Sequence, residues 1–100
     1  MLLVGEPFPA RDALAMGLLN YVVPRGEALE RALELAAKLA ANGPLALRKI
    51  KEGVLRASGL PLEQALRIED EVSAAVMASK DAREGPRAFR ERRPPRFSGE

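Results

Sequence analysis

The chain has 100 residues, enough for one domain that buries roughly 65% of the surface its unfolded form would expose, so its own core is small and any covering surface matters. Sixteen basic and 14 acidic residues leave a net charge of +2, and cysteine, histidine, threonine and tryptophan are absent, which removes disulfides, thiolate and imidazole metal ligands and the usual nucleophile–base pairs. No run of eighteen apolar residues and no signal segment occurs, so a soluble, cytoplasmic chain without a membrane partner or a metal site is expected, and the abundance of Ala, Leu, Glu, Arg and Lys predicts a mainly α fold.

Met1 to Val4 before Gly5 reads as the last turn of a helix stopped by a C′ glycine, so the chain is expected to begin in mid-element. After the punctuation of "EPFP", Ala10 to Met16 is a short helix that Gly17 ends. Leu18 to Val23, "LLNYVV", is a brief extended β stretch stopped by Pro24, with Tyr21 in the core. Residues 27–41 put Ala28, Leu29, Ala32, Leu33, Ala36, Leu39 and Ala40 on one helical face and Glu30, Arg31, Glu34 and Lys38 on the other. This predicts an amphipathic helix with Leu33 buried, a Glu34–Lys38 pair and a stop at Asn42-Gly43.

Pro44 opens the next helix at a position that tolerates proline, with Ala46, Ile50, Val54 and Ala57 in an i,i+4 row and Gly59 as the stop. Pro61 opens a third, where Leu62, Ala65, Leu66, Val72 and Val76 form a stripe interrupted by Glu69, and Glu63–Arg67 makes a surface pair. Ser79 and Asp81 are candidate N-caps of the last helix, Asp81 with Glu84 in a capping box. Pro94-Pro95 ends that helix and leaves "RFSGE" as an extended tail. The sum is four to five helices and one short extended segment.

The densest charge lies in "SKDAREGPRAFRERRPPRF", where Lys80, Arg83, Arg87, Arg90, Arg92, Arg93 and Arg96 face only Asp81, Glu84 and Glu91. Arg83, Arg87, Arg90 and Arg93, spaced at i,i+4 and i,i+3, could track a phosphate backbone. The segment interleaves no Asn, Gln, Ser or Thr with these arginines, and its carboxylates would meet the same polyanion. A solvated helix whose arginines pair with neighbouring carboxylates is the better reading, with no nucleic-acid partner. Glu69, Asp70 and Glu71 are consecutive and point in different directions, so they cannot flank one reacting atom. Glu69 alone, on the apolar stripe, is a candidate acid, against the plainer reading of an ion pair. Single scattered glycines make no phosphate loop. The residues themselves supply no catalytic constellation.

Three ordered stretches carry a resemblance: "LLVGEPFPARDALAMGLLNYVVP", "LAANGPLALRKIKEGV" and "SKDAREGPRAFRERRPPRFSG". Together they resemble the C-terminal part of the enoyl-CoA hydratase/isomerase, or crotonase, family, departing from its pattern at Arg92, where Lys is common, and Leu19, where Val is usual. The resemblance implies a crotonase C-terminal helical domain without the β-β-α spiral core that carries the oxyanion N–H groups and acid/base glutamates. Residues 1–24 would continue from that missing core and residues 25–100 would form the helical oligomerisation domain. It implies a truncated or split protein, not catalytic alone, that self-associates or joins a separate core chain. Its ligand would be a coenzyme A thioester, with no other cofactor. By motif, Phe89 and Arg92 would meet the adenine and phosphates of coenzyme A, at i,i+3 on one helical face. The alternatives are a stand-alone helical interaction module and a basic nucleic-acid-binding helical protein.

Overall fold

Helix-forming composition is realised throughout the computed structural model, which describes Leu3 and residues 5–100. Among the described residues there are five α-helices and no strand. They are α1 (Ala10–Ala15), α2 (Ala28–Ala40), α3 (Pro44–Ala57), α4 (Leu62–Met77) and α5 (Lys80–Arg90). None is long and apolar enough to cross a membrane. The turn expected at Met1 to Val4 lies, except for Leu3, outside the described residues. The chain divides into two compact units, Met1–Ala36 and Ala37–Glu100.

In the first unit Gly17, at φ 76, closes α1. Its N–H returns to the Leu14 carbonyl at 3.0 Å and that of Leu18 to Ala13 at 2.9 Å, so the last carbonyls of this short helix are satisfied. The stretch Leu18 to Val23 does not become a strand, because a strand's alternating N–H and C=O groups need a neighbouring strand and the described residues offer none. Tyr21 is not a core residue either. It is half exposed, with the Arg31 guanidinium 4.3 Å from its ring centroid. Arg31 also donates to Glu34 at 2.7 Å, which displaces the expected Glu34–Lys38 pair. A planar guanidinium already held on a ring loses less freedom in reaching a carboxylate than a free lysine does.

Helix α2 forms where its sequence predicts, yet none of its residues is buried, and the least exposed are Arg31 and Leu35, neither of them on the expected apolar face. Leu33, expected inside, is 60% exposed, and Leu29 and Leu39 are exposed as well. The stripe exists, but no described residue covers it. Asn42 stops the helix with its side chain, donating Nδ2–H to the Lys38 carbonyl at 2.8 Å.

In the second unit α3 and α4 form a helical hairpin across the short connection 58–61. Pro44 occupies the first turn of α3, as expected. The hairpin closes tightly at Gly53, where a Cβ would lie 3.1 Å from Val72 Cγ2, and Val72 is the one large side chain buried among the described residues. Arg56 of α3 grips Glu71 of α4 in a fork, Nη1 to Oε1 at 2.8 Å and Nη2 to Oε2 at 2.6 Å. Glu63 and Arg67 pair along α4 as the spacing predicts.

Helix α5 is capped by Ser79, whose Oγ accepts from the Ala82 N–H at 3.1 Å. Asp81 lies inside the first turn and makes no capping box with Glu84, because both carboxylates are engaged by the C-terminal segment. The helix ends at Arg90, before Pro94-Pro95, and accommodates Pro86 in its interior.

Candidate functional site

The basic end is organised by two carboxylates. Asp81 Oδ1 accepts the Ser98 N–H at 2.7 Å and the Ser98 hydroxyl at 3.3 Å, while Oδ2 accepts the Gly99 N–H at 2.8 Å. One turn along, Glu84 takes both arms of Arg93, at 2.5 and 3.1 Å, and the Arg96 N–H at 2.8 Å. The tail is therefore fastened to α5 rather than free. A Cβ added at Gly43 or Gly85 would meet the Phe97 ring at 3.7 or 3.9 Å, and Arg48 of α3 donates to the Gly99 carbonyl at 3.4 Å.

These contacts set the electrostatics. The Arg93 guanidinium, helped by the Arg96 N–H, holds the Glu84 carboxyl at about 2. The Ser98 and Gly99 N–H groups depress the Asp81 carboxyl. Glu91 is lowered by Arg87 and then Arg93. A carboxylate that accepts fixed N–H donors is favoured in its charged form.

Pairing consumes only part of the positive charge. Arg87, Arg93 and Lys80 are bound to Glu91, Glu84 and Glu100, as the solvated-helix reading expects. Arg83, Arg90, Arg92 and Arg96 form no side-chain ion pair among the described residues. Phe89 is 86% exposed while its neighbour Ala88 is 1% exposed, so α5 turns its small side inward and its aromatic ring outward. The helical i,i+3 relationship expected between Phe89 and Arg92 does not hold. Arg92 lies past the helix end at φ 51, the one non-glycine in the left-handed region among the described residues. The two remain joined through the backbone, the Arg92 N–H donating to the Phe89 carbonyl at 3.2 Å. The turn brings a free cation and a bare ring to the same end of α5.

A second feature is an apolar groove of about 410 Å³ between α3 and α4, lined by Ile50, Val54, Leu62, Leu66 and Val72 with Glu69 at its edge. Glu69 faces this groove without a hydrogen-bond partner among the described residues, while Glu71 is bound to Arg56. The consecutive carboxylates thus serve different surroundings, as their helical directions require. Sequence reasoning did not find the Arg56–Glu71 fork or the Asp81 and Glu84 contacts to the tail. The signal present was Arg93 placed just before Pro94.

The whole chain, residues 1–100, matches the family model for enoyl-CoA hydratase/isomerase. It is 44% identical over 97 residues to the enoyl-CoA hydratase EchA19 of Mycobacterium tuberculosis, covering 97% of this chain and 36% of that relative. It is 39% identical over 103 residues to the carnitinyl-CoA dehydratase of Salmonella typhi, covering 99% of this chain and 40% of that one. Among solved structures, the enoyl-CoA hydratase of Mycobacterium tuberculosis H37Rv aligns with a TM-score of 0.90 at 38% identity, over 96% of this chain and 38% of that chain. The chain spans about two fifths of the length of the relatives it matches.

Proposed function

The chain belongs to the enoyl-CoA hydratase/isomerase family, and from that premise we propose that it is the C-terminal helical region of such a protein, covering an acyl-CoA and mediating assembly. Residues 1–24 lead from the β-β-α core and residues 25–100 form the covering and oligomerisation region. The observation that carries this reading is the outward Phe89 ring at the end of α5, joined through the backbone to Arg92, which forms no ion pair among the described residues. A flat ring can stack an adenine, and a guanidinium can grip a phosphate. Hydration or isomerisation of an acyl thioester passes through an enolate-like state that needs aimed N–H donors and a placed acid/base. The proposal assigns those groups to the portion of the relatives that this chain does not match, so the chain alone is not catalytic. A cytoplasmic location follows from the same reading.

Titrating coenzyme A, and separately 3′-dephospho-CoA, into the wild type and Arg92→Ala tests this, both alone and mixed with a crotonase core domain. Tighter binding in the mixed sample, weakened by Arg92→Ala, supports the proposal. Equal affinity of wild type and mutant, or no binding, removes it. A second reading, a helical interaction module without acyl-CoA, draws on the exposed leucines of α2 and would then stand.

A further inference from the structure

Arg92 occupies a backbone conformation that a side chain makes costly and a glycine would not. Such a residue persists only where its surroundings over-determine it. Three features do so here. Pro94 bars Arg93 from continuing the helix. The N–H groups of Arg92 and Arg93 return to the Phe89 and Ala88 carbonyls, at 3.2 and 3.1 Å. Beyond the backbone, the Arg93 guanidinium is held between Glu84 and Glu91, and Glu84 simultaneously binds the Arg96 N–H on the far side of the two prolines. The turn containing Arg92 is thereby tied to α5 from both ends. The two arginines divide: Arg93 binds carboxylates, while Arg92 forms no ion pair among the described residues.

We infer that Glu84 and Arg93 are positioning residues for the ligand face of α5, their clamp fixing the left-handed turn from which Arg92 offers its guanidinium to an anion beside Phe89. The inference rests on the acyl-CoA reading of Phe89 and Arg92 and adds the device that presents them. It separates two adjacent arginines by role: Arg92 touches the ligand, and Arg93 acts only through Arg92. A pre-set cation avoids the ordering cost that a mobile arginine meets on binding.

The test is a double-mutant cycle read by coenzyme A affinity, carried out in the assembly that binds coenzyme A. Arg92→Gly keeps the turn and removes the cation, Glu84→Gln loosens the clamp, and Arg93→Lys keeps the charge but cannot grip both carboxylates. Loss of one charge-assisted contact weakens binding roughly tenfold. Arg92→Gly and Glu84→Gln are each expected to do so, and their combination to bind no more weakly than Arg92→Gly alone, because one acts through the other. Arg93→Lys is expected to follow Glu84→Gln, with the Arg96 amide resonance displaced in both and the helical circular dichroism retained. Fully multiplicative losses, or wild-type affinity in both Glu84→Gln and Arg93→Lys while Arg92→Gly is weak, would overturn the positioning role. Wild-type affinity in Arg92→Gly instead removes the acyl-CoA reading of Arg92 itself, and the inference with it.

Discussion

Glu84 and Arg93, nine residues apart, meet through two guanidinium–carboxylate contacts of 2.5 and 3.1 Å, and this fork closes the chain back on α5 just after the helix ends. It has a consequence in acid. The folded-state values of Glu84, about 2, and of Asp81 lie below their ordinary ones. The stability these groups contribute is therefore present above the ordinary carboxylate range and lost as pH falls through the folded values. In nitrogen–proton spectra, the Arg96, Ser98 and Gly99 amides should hold their positions from about pH 7 to about pH 4.5 and move only below that. Glu84→Gln should alter the movement at Arg96 and spare that at Ser98 and Gly99. Movement of all three above about pH 5.5 would contradict the assignment.

Arg92 gives a prediction of stability that opposes its predicted role in binding. Replacement by Gly relieves the left-handed backbone and should stabilise the chain by about 0.5–1 kcal/mol, whereas Arg92→Ala keeps the strain and should not. Urea melts of the two variants read the difference directly.

Gly53 and Val72 set how closely α3 and α4 approach. Gly53→Ala gains about 1 kcal/mol of helix propensity but forces its Cβ to 3.1 Å from Val72 Cγ2. The single variant should be neutral or destabilising, and in a Val72→Ala background the same change should become stabilising. Val72→Ala alone should cost about 1–2 kcal/mol, more than Glu71→Gln, whose exposed partner interaction is worth under about 1 kcal/mol. Melts of these variants, with Val72→Ala compared against Glu71→Gln, would show whether packing or charge holds the hairpin.

The exposed stripe of α2 predicts association, since a chain this small gains by covering long apolar faces. Sedimentation equilibrium should show a concentration-dependent mass, and Leu33→Ala should weaken it. In dilute monomer the same substitution should cost less than about 1 kcal/mol, because Leu33 is already 60% exposed. A monomer that persists at high concentration would sink the idea.

The helices were legible because their signals are local. Pro44 at a first turn, Gly17 and Gly59 after last turns and the 3.6-residue stripes each act within a few positions. Burial was not legible. Helix α2 forms where expected, yet whether Leu33 is inside depends on a surface that periodicity cannot supply. For Phe89 and Arg92, the helix was expected to continue to Pro94. The Glu84–Arg93 fork and two backbone bonds end it at Arg90 and turn Arg92 into the left-handed region, a long-range outcome that no local spacing encodes.

The most direct test of the acyl-CoA reading is hydrogen–deuterium exchange of the chain, mixed with a crotonase core domain, with and without coenzyme A. The account predicts slowed exchange in the peptide containing Phe89 and Arg92, abolished by Arg92→Ala, and no change in the α3 segment around Ile50 and Val54. Protection confined to the α3–α4 groove, or none at the end of α5, would contradict it.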